Sequence, residues 1–224
     1  MFSNEGHRKR LYDRFDKVGF KGFSEHEKLE ILLCLSIPRK DCKNLAKKLI
    51  EKFKTVLGVF YADRRDLESV MGLGQKTSRF LSIIKAVLAE GIKEDISLKQ
   101  KFLDPDAVSA YLMMKQSKGR QETFKVLFLD TQYQLLGEED ISRGTIDEAP
   151  VYIRNIVELA IKYNAKAVIL SHNHPSGQPT PSLSDKEVTL KIKKALSLLD
   201  IDILDHLIIG DHRYISFVRE GLLE

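Results

Sequence analysis

The sequence predicts an α+β chain built from two domains: an all-helical one over residues 1–98 and an α/β one over residues 102–224. Three observations carry this. Up to residue 95, apolar positions recur at helical spacing. Beyond Asp104, short apolar runs of strand character alternate with helical segments, the pattern of a mixed sheet with helices on its faces. Charge divides the same way: residues 1–100 hold 21 Lys and Arg against 14 Asp and Glu, and residues 101–224 hold 15 against 18. The basic half is a candidate for contact with phosphate backbones, although basic helices are also commonly solvated faces.

In the helical part, Ser24-Glu25-His26-Glu27 is a capping box, in which hydroxyl and carboxylate satisfy first-turn donors. Leu29, Ile31, Leu32, Leu33 and Leu35 then fill one broad face. Asp41 is placed to cap the next helix, with Leu45, Leu49 and Ile50 inward, and Asp63 a short helix ending at Met71. Gly72-Leu73-Gly74 follows. A long helix then runs from about Gln75 to Lys93, with Phe80, Ile83, Ile84, Val87 and Leu88 on its buried side. The polar stretch 94–101 lacks a clean period and marks the domain boundary.

In the α/β part, Asp104-Pro105 starts a helix buried through Val108, Leu112 and Met113, proline suiting the first turn. Thr123–Leu129 is a strand, and after a turn at Asp130-Thr131-Gln132 another begins at Tyr133. Pro150 opens a helix over 150–163, with Ile153, Ile156, Val157 and Ala160 on one face. Lys166–Ser171 is a buried strand. A helix with Asp185 near its start and Ser184 as cap runs to about Leu199, and Ile201–Ile209 and Tyr214–Val218 close the fold around Gly210-Asp211.

At 224 residues, with 43% hydrophobic and 30% charged residues, the composition is that of an ordinary globular protein. No apolar run approaches the length of a membrane span. The first residues, Met1–Glu5, are not a signal peptide, so the cytoplasm is the expected location. Cys34 and Cys42 form no Cys-x-x-Cys and read as reduced, buried side chains.

Chemistry concentrates in His172-Asn173-His174-Pro175-Ser176-Gly177, followed by Pro181-Ser182-Leu183-Ser184-Asp185. Side chains on an extended backbone alternate, so His172 and His174 share one side and their rings can converge. Asp185, beyond a loop that must turn back, can supply a third ligand. Two imidazoles and a carboxylate leave a tetrahedral zinc one open position, which is the catalytic arrangement. Asn173 is placed to shape the strand end or hold an outer bond, and Gly177 to supply a left-handed turn.

This string closely resembles the JAMM (MPN-type) metallopeptidase motif, and its detailed form is similar to the bacterial RadC family. The resemblance implies a deaminase-like α/β/α sandwich, one zinc ion held by His172, His174 and Asp185, and a peptide or protein substrate. It also implies a glutamate base at the edge of the domain's first strand, where Glu122 stands, with Glu138 and Glu139 as alternatives. Ser182 matches the serine that donates to the oxyanion. Short helix, Gly72-Leu73-Gly74 and long helix together resemble a helix-hairpin-helix DNA-binding element. In it, amides near Gly72 and Gly74 would hold a phosphate with Lys76 assisting, which makes DNA a candidate partner of residues 7–95.

Asp205-His206 also fits the RadC pattern, and among apolar neighbours His206 reads as a satisfied core histidine. Zinc deaminases need His-x-Glu and a Pro-Cys-x-x-Cys, both missing here, so base deamination is disfavoured. The leading expectation is a zinc-dependent hydrolase of amide or isopeptide bonds. A DNA-associated repair module is the alternative, and a pure interaction platform is disfavoured by so complete a hydrolytic set.

Overall fold

The computed structural model describes residues 4–98, 101–116, 121–143 and 153–223. It divides into two compact units, Met1–Val87 and Leu88–Glu224.

The first unit contains α1 (Asn4–Val18), α2 (Glu25–Ser36), α3 (Lys43–Phe53), α4 (Val56–Tyr61), α5 (Arg64–Glu68) and the first turns of α6 (Gln75–Leu98). Glu27 accepts the Ser24 N–H at 2.9 Å, as a capping box requires. Asp63 caps α5 through the Asp66 N–H. Asp41 accepts the Lys43 N–H from one place ahead of the cap, which is Cys42. Leu29, Ile31 and Leu33 are buried in α2, whereas Leu35, expected inward, points to solvent.

The larger correction concerns α6. Ile83 and Val87 are 56% and 66% exposed, Leu88 also faces out, and the buried arc runs through Thr77, Ser78, Leu81, Ala89 and Ile96. Two hydroxyls occupy that arc because each has a partner: Ser78 donates to Glu68 at 2.6 Å and Thr77 accepts from Ser36 at 3.3 Å. Apolarity alone therefore pointed to the wrong face.

α6 also continues to Leu98 instead of ending near Lys93. Ile96, within the stretch read as a polar boundary, is 1% exposed and packs with Phe102, Val108 and Leu112 in the second unit's core.

The second unit continues with a 3-10 turn (Lys101–Leu103), α7 (Pro105–Lys115), β1 (Thr123–Leu129), β2 (Leu135–Arg143), α8 (Ile153–Lys162), β3 (Ala167–Asn173), α9 (Leu183–Ser197), β4 (Asp202–Ile209) and β5 (Tyr214–Ser216). Pro150, read as a helix opener, lies outside the described residues. Tyr133 sits in the turn with φ 57°, where Asp130 Oδ1 accepts the Gln132 and Gln134 N–H groups, so β2 starts at Leu135. Tyr111 and Met114 are buried in α7 beside Val108 and Leu112, and Met113 is only partly so.

The sheet order is β2-β1-β3-β4-β5. Among the described strands only β3 and β4 pair in parallel. One face carries Phe124, Val126, Phe128, Val168 and Leu170 against α8 and α9. The other carries Leu127, Leu129, Ile169, Leu207 and Ile209 against α7 and the end of α6. Helices on both faces of a mixed sheet make this unit an α/β/α sandwich. Among the described residues no helix is long and apolar enough to cross a membrane.

Candidate metal centre

Burial on both sides explains the unbroken apolar run of β3, and the strand continues through His172 to Asn173. His172 follows Val168 and Leu170 onto the face covered by α9. His174 lies just past the strand, its N–H donating to the Ile209 carbonyl at 2.9 Å. The chain then turns at Gly177, which has φ 80° and donates its N–H back to His174 O. A Cβ there would meet that of Asp211 at 3.0 Å, so both backbone angle and space call for glycine.

The loop returns to the start of α9, where the cap is Ser182, not Ser184 as expected. Ser182 Oγ accepts the Asp185 N–H at 3.1 Å, and Asp185 Oδ2 accepts both the N–H and the hydroxyl of Ser182 at 2.7 Å. Asp185 occupies the third position of the helix, and this reciprocal bonding sets its carboxylate plane.

His172, His174 and Asp185 form the one cluster of metal-ligating type among the described residues. The two Nε2 atoms are 3.0 Å apart. Asp185 Oδ1 lies 3.3 Å from His172 Nε2, and Oδ2 lies 3.6 Å from His174 Nε2. Donors bound tetrahedrally to zinc at roughly 2.1 Å stand about 3.4 Å from one another. The contacts between neighbouring donors lie near that value, each ring facing a different Asp185 oxygen, so the cluster fits such an ion in size and in chemistry.

Burial lowers the His172 pKa below the usual imidazole range, Asp185 only partly opposing it. His174, bonded to Asp185, is raised, with the Glu122 charge among the smaller contributors. Burial pushes Asp185 upward, but His172, His174 and Ser182 outweigh it and hold the carboxyl far below its ordinary value. His172 thus leans neutral and Asp185 stays ionised, as ligands of a cation must, while His174 would give up its proton to bind one.

Further contacts orient the ligands. His174 Nδ1 donates to the Gln178 carbonyl at 2.7 Å, which turns its Nε2 lone pair toward the cluster. His172 Nδ1 is 2.8 Å from His206 Nε2, and the ring lies parallel to Phe124. His206 stays out of the cluster, as its apolar neighbours led us to expect. Its contact with His172 went unread, because β3 and β4 bring together residues 34 places apart and no local spacing announces that.

Glu122 stands just before β1. Phe124 pairs with His172 across β1 and β3, which brings Glu122 near enough to His174 for its charge to raise the His174 pKa. Asn173 accepts the Thr123 N–H at 2.9 Å and donates to Gln121 O at 3.3 Å, gripping the chain on either side of Glu122. Glu138 accepts from Tyr111 and Glu139 from Tyr163, which ties them to helices on opposite faces of the sheet. A cleft of about 110 Å³ beside His174 is lined by Asn173, Ser176, Gly177 and Asp211. In the other unit Gly72 adopts φ 101° in the turn before α6, and Gly74 and Lys76 are exposed at that helix start.

The family model that matches this chain describes a RadC-like JAB domain and covers residues 102–222. Among curated proteins, a UPF0758 protein of Fusobacterium nucleatum is 38% identical, covering 98% of both chains. One from Ruegeria pomeroyi is 38% identical over 97% of both, and one from Methylibium petroleiphilum 36% over 92% of both.

Proposed function

The chain belongs to the RadC family, and from that premise we propose that it is a zinc-dependent hydrolase of amide or isopeptide bonds. The observation that carries this reading is the cluster of His172, His174 and Asp185, in which the two Nε2 atoms are 3.0 Å apart and each faces a different Asp185 oxygen, at 3.3 and 3.6 Å. A zinc ion held by His172, His174 and Asp185 would supply Lewis acidity and would make water more acidic. Everything else falls to the chain's own groups. Glu122, whose charge acts on His174, takes the proton of the attacking water and returns it to the leaving amine. Asn173 keeps that carboxylate in place by gripping both of its chain neighbours.

Ser182 has two tasks. It orients Asp185 in the resting state, and its hydroxyl, turned from Asp185 Oδ2, donates to the oxygen that gains charge on the scissile carbonyl. The cleft beside His174 would receive the chain on one side of the scissile bond.

Zinc content measured on the parent, His174→Ala and Asp185→Ala tests the centre. Stoichiometric metal in the parent and loss in both variants is expected; a variant that keeps its metal sinks the assignment. Glu122→Gln should retain zinc yet lose cleavage of a quenched peptide library.

DNA association through residues 7–95 is the second reading, favoured by the left-handed Gly72 turn with Lys76 exposed beyond it. Gly74→Val and Lys76→Glu should weaken duplex binding in low-salt titrations, with affinity falling steeply as salt rises. Unchanged affinity in both variants removes the hairpin.

A further inference from the structure

Behind the metal centre lies a closed chain of hydrogen bonds whose direction can be worked out from one end. It starts at the Asp185 carbonyl oxygen, which can only accept. Thr189 Oγ1, one turn further along α9, donates to it at 2.6 Å. The hydroxyl has one proton and has spent it there. Thr189 Oγ1 is also 2.6 Å from His206 Nδ1, so in that contact the oxygen accepts and His206 carries its proton on Nδ1.

The His206 ring is fully buried, packed against Phe124 and Phe217 with centroids 5.5 and 4.6 Å away. The neighbouring Asp205 turns away, bonded to Ser216 and to the His206 and Val218 N–H groups. A neutral ring is the economical state in such a wall. Its Nε2 is then a lone pair, and the 2.8 Å contact with His172 must be a bond donated by His172 Nδ1–H.

We propose that His206 and Thr189 act as positioning residues, a one-way relay that keeps the His172 proton on Nδ1 and its Nε2 lone pair toward the cation. The relay rests on the metal-centre reading above for its purpose, though not for its existence. It ties β3, β4 and α9 together and ends on the backbone of a second ligand, so His172 and Asp185 are set by one network. His174 reaches the same tautomer by a simpler route, a single bond to the Gln178 carbonyl. The nucleophile, the proton carrier and the oxyanion donor lie elsewhere; the relay acts through His172.

Two measurements test it. In zinc-free parent protein in mildly alkaline buffer, long-range proton–nitrogen spectra of the imidazoles should show His172 protonated on Nδ1 and bare on Nε2. The opposite assignment overturns the relay. Zinc affinity, read by competition with a chromophoric chelator, should fall about 10- to 100-fold in His206→Leu, the range seen when an outer-shell partner is lost. His206→Gln, which restores an acceptor for His172, should recover most of that loss.

A folded His206→Leu protein that binds zinc like the parent also overturns the proposal. Should that variant not fold, Thr189→Val serves in its place. Without the hydroxyl the His206 proton is no longer pinned, and the His172 signal should divide between two tautomers; a single unchanged tautomer counts against the relay. A parent that takes up no zinc defeats the metal-centre reading, and the tautomer spectrum still decides the relay.

Discussion

Two helix starts in this molecule are built alike and serve different ends. At α2, Glu27 accepts the N–H and hydroxyl of Ser24, both at 2.9 Å. At α9, Asp185 accepts the same two groups of Ser182, both at 2.7 Å. Glu27 remains 24% exposed and turns its other oxygen to Arg14 at 3.0 Å. Asp185 is 1% exposed and turns toward His172 and His174. The local motif caps a helix start in both places. Only at α9 does the sheet deliver two imidazoles to the capping carboxylate, and only there does the cap become a candidate ligand.

The largest predicted contrast comes from neutralising each carboxylate. Asp185→Asn should weaken zinc binding by more than about 100-fold, beyond the loss caused by an outer partner. Glu27→Gln should leave zinc binding untouched and cost about 1 kcal/mol of stability, the scale of a lost cap. Chelator competition and denaturant unfolding of the two variants side by side check both. Equal zinc binding by the two would erase the distinction.

Removing the serines sharpens it. Ser24→Ala and Ser182→Ala should each cost about 1 kcal/mol as lost caps. Ser182→Ala alone should also reduce zinc affinity roughly tenfold, because the Asp185 plane is no longer held. If Ser182 serves the oxyanion as well, its variant should lose about 10²–10³ in kcat at saturating zinc, and restored metal would not repair that.

The smallest effect is an acid limb. Ser24 and Arg14 overcome burial and hold Glu27 down to about 2 from 4.5. The unfolded chain then takes up the proton first on acidification. The stabilisation is complete above pH 4.5 and is lost as pH falls from there to about 2. Urea midpoints at about pH 5 and about pH 3 should differ less in Glu27→Gln than in the parent. Asp185 shifts in the same direction, but its loss sets in at still lower pH.

Most of the second unit's architecture was legible because strand and helix periods differ and because caps and turn residues carry their own chemistry. Thr123–Leu129 and the Asp104-Pro105 start could be read from a few residues each. The buried side of α6 could not be. Its inward arc includes Thr77 and Ser78, whose burial depends on Glu68 and Ser36 supplying partners from other helices. The continuation of α6 past Lys93 was hidden for a related reason, since Ile96 and Leu98 are two apolar residues among polar ones, too few to show a period before the second unit's core surrounds Ile96.

What the sequence determined by itself was the candidate ligand set. His-x-His at the end of an apolar strand, a glycine turn and an aspartate in the first turn of a helix are local facts of spacing and backbone angle. The tertiary structure decided the rest. Pairing of β1 with β3 brought Glu122 close enough for its charge to act on His174, the parallel pairing of β3 with β4 brought His206 behind His172, and α9 packing supplied Thr189. Hydrogen bonds act over about 3 Å, so groups separated by tens of residues acquire a chemical relationship only once strand order and helix packing have brought them together.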